Sequence, residues 1–329
     1  PLVASTGFCV VRARDGVSHP SYLFHSLMSS RVTAQAVRDA IGSSYPALND
    51  SDVKRFQIFL PPYREQQKVA QVLDTLDAAI HETEAIIAKL KAVKQGLLHD
   101  LLTRGIDANG ELRPPQAEAP HLYKESPLGW IPKDWEARSL ASLGTYENGY
   151  AFSDAHWSEH GLPIVRIAQI TGSQPGADRY PGTLPDRFKI SDGDLIFSWS
   201  GTLVVIRWSG GSAWLNQHLF KVTPARDVNS TFMFHLLQAS VDEMNKRTHG
   251  STMKHIKRGE LASYFVALPS DGDEQARIAD HLEACDESVH QNSMALASLR
   301  DLKSGLMDDL LTGRVRVTPL LAAQPQGSA

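Results

Sequence analysis

From Met244 to Arg258 the chain reads MNKRTHGSTMKHIKR, in which Lys246, Arg247, Lys254, Lys257 and Arg258 are basic and no residue is acidic. Side chains so arranged can follow a row of phosphates, with Ser251, Thr252 and His255 as further donors and Gly250 letting the backbone come close. A solvated helix end and loop is the competing account of the same stretch. A second set suits the edges of nucleobases: Arg166, Gln169, Asn216, Gln217 and His218 carry planar or paired donors and acceptors on segments beside apolar runs. Tyr150, Phe152 and Trp199 could pack beside such readers or sense shape. For any one of these, ordinary surface or core duty is the commoner role, and only a few of the set are expected to read bases. The run FSWSGT from Phe197 to Thr202 fits a loop against a phosphate and also a plain turn.

Catalytic chemistry finds little footing. A glycine-rich cofactor turn after a strand, an NPPY-like string, a GxxxxGK[ST] loop and a GxSxG elbow are all missing from the sequence. His156 and His160 stand one helical turn apart without the glutamate placement of HExxH, and Asp52-Val53-Lys54 is a lone acid-x-lysine that should be solvated surface. Cys9 and Cys285 have no CxxC or Cys/His spacing and read as small buried hydrophobes, so neither a disulfide nor a metal site is expected. The chain should not itself be an enzyme.

The elements that would position these residues come in two copies. The run EQQKVAQVLDTLDAAIHETEAIIAKLKAVKQGLLHDLLTRG from Glu65 to Gly105 returns at Glu274 as EQARIADHLEACDESVHQNSMALASLRDLKSGLMDDLLTGR. A period this long means duplicated domains, because solenoid repeats have periods of roughly 20 to 50 residues. Val69, Leu73, Leu76, Ile80, Thr83, Ile87, Leu90, Lys94, Leu97 and Leu101 keep an unbroken heptad alternation, as do Ile278, Leu282, Cys285, Val289, Asn292, Leu296, Leu299, Lys303, Leu306 and Leu310. That is the seam of a coiled coil. The polar members fall at matching places, Thr83 with Asn292 and Lys94 with Lys303. Polar groups in a seam fix register at a cost in stability, so the two helices should pair with each other, antiparallel if the duplicated chain closes around a pseudo-two-fold axis; an amphipathic helix packed on its own domain is the competing account.

Upstream of each helix lies a globular segment. Leu162–Ile170, Gly193–Ser198, Thr202–Trp208 and His218–Val222 read as strands, and a helix capped by Ser230 should run to Lys246. The first copy answers only to the later part of this segment: FCVVRARD from Phe8 and YLFHSL from Tyr22 match HLFKVTPARD from His218 and FMFHLL from Phe232. A first domain lacking its earlier half is the expectation. With 329 residues, 42% of them hydrophobic, the chain can bury two cores, and the net charge of −4 argues against a non-specific polyanion binder while leaving room for a local basic face. No apolar run approaches the roughly 18 residues that span a bilayer, and a cytoplasmic location is expected.

At this point the residues resemble a known family. A globular segment, a long helix, a second globular segment and a second long helix, in that order, look like the specificity (S) subunit of Type I restriction-modification systems. Ser126-Pro127-Leu128-Gly129-Trp130-Ile131-Pro132-Lys133-Asp134-Trp135-Glu136 is similar to the opening of a target-recognition domain in that family, as are Gly193 to Ser198 within it and Gly250 to Ile256 near its end. The Leu-Pro, Glu-Gln, Ile/Val-Ala succession at Leu60 to Ala70 and Leu268 to Ala279 is similar to the family's helical regions. The resemblance implies an α+β chain with two target-recognition domains, the first partial, and two long helices in an antiparallel coiled coil. Residues 1–62 would be the later part of the first recognition domain, 63–105 the first helix, 106–122 a linker, 123–270 the second recognition domain, 271–313 the second helix and 314–329 a tail. It also implies sequence-specific binding of a bipartite double-stranded DNA target and assembly with two methyltransferase (modification) subunits and with restriction/translocase subunits. S-adenosylmethionine, ATP and Mg would sit on those partners and no cofactor on this chain. A coiled-coil assembly scaffold or an inactive truncated S subunit, without competent DNA recognition, is the alternative.

Overall fold

The computed structural model describes residues 8–42, 47–174, 176–247 and 258–322. Its helices are α1 (Pro20–Leu27), α2 (Ser30–Asp39), α3 (Asp50–Val53), α4 (Tyr63–Thr103), α5 (Ile167–Thr171), α6 (Ser230–Arg247), α7 (Arg258–Ser263), α8 (Gly272–Leu310) and α9 (Thr318–Ala322). The repeated sequence forms the two longest, α4 with 41 residues and α8 with 39. Each opens with acids in its first turn, where the helix dipole favours negative charge. Beyond the end of α4, Gly105 takes the left-handed conformation at φ 65°, and a Cβ there would collide with the side chains of Glu274, Trp135 and Arg113.

Two compact units divide the chain, residues 1–91 with 288–329, and residues 92–287. In the first, Val69, Ala70 and Leu73 of α4 share a core with Tyr22 of α1 and with Leu310, Leu311 and Val317 at and beyond the end of α8. Lys303 pairs there with Asp77, and Arg300 with Glu84 at 2.6 Å. In the second, Leu101 of α4 shares a core with Ile278 and Leu282 of α8, and Lys94 Nζ reaches Asp286 Oδ1 at 2.5 Å. Each unit thus packs the start of one long helix on the end of the other, which is antiparallel pairing. The matched lysines carry the register as cross-helix ion pairs. Thr83 and Asn292 instead donate to carbonyls of their own helices, Ala79 and Ser288.

The same polar joint secures the head of each long helix. Gln66 Oε1 accepts from His19 N (2.8 Å), and its Nε2 donates to the carbonyls of Val17 (2.9 Å) and Pro61 (2.8 Å). Gln275 Oε1 accepts from Asn229 N (2.8 Å), and its Nε2 donates to the carbonyls of Asp227 (3.1 Å) and Pro269 (2.9 Å). Beside each glutamine a buried glutamate meets an arginine: Glu65 with Arg316, and Glu274 with Arg113. Glu274 also accepts from Ile106 N (3.1 Å) and Trp135 Nε1 (3.2 Å), so one carboxylate ties connector, strand and helix together.

In the second unit, β1 (Tyr123–Ser126) and β2 (Gly129–Pro132) form a hairpin, and β3 (Trp135–Ser139) pairs antiparallel with the last strand before α8. Then follow β4 (Gly144–Asn148), β5 (Leu162–Val165), β6 (Arg179–Tyr180), β7 (Lys189–Ile190), β8 (Leu195–Ser198), β9 (Val204–Arg207), β10 (Ala213–Leu215), β11 (Leu219–Pro224) and β12 (Phe265–Pro269). One sheet runs β4-β11-β8-β9, antiparallel throughout; the other runs β6-β5-β10-β7, with β5 and β10 parallel. Phe232, Met233, Leu236, Leu237 and Val241 of α6 pack in one core with Phe197 and Phe220 of the first sheet. Each such burial contributes about 1.5–3 kcal/mol.

Several expectations need correction. The run from Leu162 is strand only to Val165; Gln169 Oε1 then accepts from Arg166 N (3.0 Å) and starts α5. Asn229 rather than Ser230 caps α6, its Oδ1 accepting from the amides of Thr231 (2.9 Å) and Phe232 (3.0 Å). Asp52 is buried, not solvated, because it accepts from Asn49 N and pairs with Arg55. Cys9 is exposed, not buried: its segment forms no strand among the described residues, whereas the matching β11 lies between β4 and β8.

Two predictions arise from these joints. Glu274→Gln leaves Arg113, whose side chain is 12% exposed, without its countercharge and should cost about 3–5 kcal/mol in urea unfolding, whereas Glu65→Gln, facing a half-exposed Arg316, should cost about 1 kcal/mol or less. Equal costs would contradict the asymmetry. The second concerns His235, buried in α6 and 3.1 Å from Glu283. Burial and then the Lys94 ammonium push its pKa down, against the attraction of Asp286 and Glu283. As pH falls below about 6.5 the unfolded chain takes a proton that the folded chain resists, so stability drops until the folded pKa is passed. The stability gap between wild type and His235→Gln should therefore narrow from about pH 7.5 to about pH 5.5, ahead of the carboxylate window near about 4.3; a constant gap would refute it.

Candidate nucleic-acid interface

Backbone hydrogen bonds gather most of the proposed base readers at one place. Asn216 N donates to Val165 O (3.0 Å), which sets Arg166 beside the β10–β11 junction, while Tyr150 N donates to Leu215 O (2.8 Å) and Gln217 N to Tyr150 O (2.9 Å). Asn148 Nδ2 adds a bond to Gln217 O at 2.9 Å. The approach is close enough to need glycine at position 149, where a Cβ would run into the carbonyl oxygens of Leu215 and Asn216. Trp199, following β8, lays its ring 5.8 Å from that of His218 and 5.7 Å from Phe220. Asn245 Nδ2 donates to Leu203 O (3.4 Å), which fastens the end of α6, and Lys246 with it, to the loop after Trp199.

The individual side chains divide by what already holds them. His218 and Lys246 are exposed and Gln217 is half-buried, with Gln217 Nε2 3.4 Å from His218 Nε2. Asn216 is buried and its Oδ1 accepts from His218 N, a bond that shapes the turn. Gln169 is engaged at both ends, since its Nε2 also donates to Gly176 O (2.7 Å). Tyr150 and Phe152 pack edge-on with His156, and the cluster extends to Phe188 and Tyr180. Their rings are packing, as is that of His156. Arg166 pairs with Asp178 through Nη1 at 2.5 Å and keeps 28% of its side chain exposed. Arg247 and Arg258 are the last residue of α6 and the first of α7. Ser251, Thr252, Lys254, His255 and Lys257 lie outside the described residues.

The family model for the Type I restriction modification DNA specificity domain matches residues 1–92 and 132–296. The chain belongs to that family. It is 22% identical over 339 residues to the Type I restriction enzyme MjaVIII specificity subunit of Methanocaldococcus jannaschii, covering 97% of this chain and 75% of that one. Its identity to the MjaIX specificity subunit of the same organism is 22% over 336 residues, covering 97% and 74%. The fold is similar to that of a Type-I restriction-modification system S subunit from M. genitalium (TM-score 0.55, 15% identity, 88% and 72% covered). It is also similar to a chain from a structure concerned with complex assembly and conformational transition of the type I R-M system (TM-score 0.52, 21% identity, 94% and 75% covered).

The junction just described and the loops flanking it are where most of the base readers expected from the sequence come together. Two residues there escaped the sequence reading. Trp157 is 48% exposed with the Arg166 guanidinium 5.2 Å from its ring centre, and Arg187 is exposed with its guanidinium 4.7 Å from the ring centre of Phe188. A large aromatic set among Ser, His and Glu in a loop was the available signal for Trp157. For Arg187 the signal was its neighbour Phe188. Among the described residues no group of His, Cys, Asp and Glu is placed to hold a metal ion, and no helix is long and apolar enough to cross a membrane.

Proposed function

We propose that this specificity subunit binds double-stranded DNA without catalysis of its own, and that residues 123–270 read one half of a bipartite target. The observation that carries the reading is the convergence of Arg166, Gln217, His218 and the end of α6 at one end of two sheets, with the basic stretch following Lys246 in sequence. Arg247, Lys254, Lys257 and Arg258, with Ser251 and Thr252, would meet phosphates and supply affinity in any sequence; Gln217, His218 and Arg166 would meet base edges and supply preference. The exposed faces of the long helices and their LLTRG and LLTGR ends, repeated in both copies, offer equivalent surfaces, which would suit two copies of one modification subunit. Those partners would carry S-adenosylmethionine, and restriction subunits would carry ATP and Mg; the complex would act in the cytoplasm, where its DNA is.

Selection from a randomised duplex pool, using the full chain with its modification subunit, tests this. Lys254→Ala with Lys257→Ala should weaken binding to all sequences about equally and lower the salt slope by roughly two counterions. Gln217→Ala or His218→Ala should cost about 1–3 kcal/mol at one base position. A wild-type complex with no sequence preference, together with an unchanged salt slope in the double variant, would leave only the scaffold alternative.

A further inference from the structure

Resting on that reading, the geometry points to Arg166 as the reader of a guanine edge, held for that purpose by Asp178 and Trp157. Its backbone is fixed twice, by Asn216 N bonding to the preceding carbonyl of Val165 and by Gln169 Oε1 taking its own amide proton. The buttress is fixed as well. Ile164 N donates to Asp178 O (2.7 Å), and Ser158 and Arg179 exchange backbone bonds at 2.9 and 3.1 Å, which pins the Trp157 loop to β6. The guanidinium therefore lies against a ring and on a carboxylate, and among the described residues its remaining N–H groups have no protein partner.

A partly exposed ion pair of this kind adds little to stability, so fold stability alone is a weak reason for so many constraints. It is also a poor phosphate site, because Asp178 cancels the charge and would repel the backbone. An uncharged edge with two acceptors suits it better. Guanine presents O6 and N7 together in the major groove, which a pre-oriented arginine fork meets with paired bonds. Holding the fork in advance lowers the entropy lost on contact, and Trp157 offers an apolar face to a neighbouring thymine methyl or sugar.

The test is selection from randomised duplexes by the full chain with its modification subunit, comparing wild type with Arg166→Lys, Arg166→Ala, Asp178→Asn and Trp157→Ala, with thermal melts for each. Arg166→Lys keeps the charge and loses the fork, so it should lower guanine preference about ten- to a hundredfold at one position and leave the other positions unchanged. Asp178→Asn and Trp157→Ala should lower preference at that same position by less. Uniform weakening for Arg166→Ala, with Arg166→Lys like wild type, would make Arg166 a phosphate contact and overturn the inference. Unchanged selection in all four variants would assign the cluster to fold stability and overturn it too, while the DNA-reading function stands. A wild type without any preference would instead bring down the reading on which the inference rests.

Discussion

The constraint on which the rest of the molecule depends is the polar joint at the head of each long helix. A glutamine side chain that satisfies one backbone amide and two backbone carbonyls cannot be replaced by packing, because buried main-chain groups left unpaired are costly. In the second unit Gln275 locks the entry to α6 and the end of β12 to α8, and Glu274 brings in the connector through Arg113 and the core through Trp135. Everything that approaches DNA in the proposed mode hangs from elements fastened there. The repeat of the joint at Gln66 and Glu65 gives the first unit the same frame with other loops.

Within that frame the proposed reading surface is made by strand ends. The β10–β11 junction passes from one sheet to the other, and the backbone bonds of Tyr150, Asn216 and Gln217 hold the adjoining loops against it. This separates two tasks that a single loop would confuse. Buried Asn216 and half-buried Gln169 set the backbone, which leaves Gln217, His218 and Arg166 on rigid supports. Specific recognition of bases gains from such rigidity, because the entropy of ordering is lost at folding rather than at binding.

Much of this was legible in the amino acids. The heptad seams in a duplicated chain pointed to the antiparallel helices, the matched Lys94 and Lys303 to polar groups that fix register, and the Glu-Gln pairs to the helix starts, though not to the joints they form. Less legible were features set by one side chain meeting a distant or neighbouring backbone group. Gln169 turns an apparent strand into α5, Asn229 takes the cap expected of Ser230, and Asp52 is drawn inward by the amide of Asn49. The expected base readers lie near one another in the fold, yet composition could not say which members are already bonded within it. Tyr150 and Phe152 turned out to face other rings because residues near 180 and 188, far off in sequence, return beside them.

The central claim is that the β10–β11 junction and its flanking loops form the surface that meets DNA. Hydrogen–deuterium exchange of the full chain with its modification subunit, with and without a duplex chosen by selection, tests it most directly. The account predicts slowed exchange in the loops around residues 149–152, 199–203 and 216–218 and at the end of α6 when the duplex is bound. Protection confined to other segments, with these loops unchanged, would contradict it.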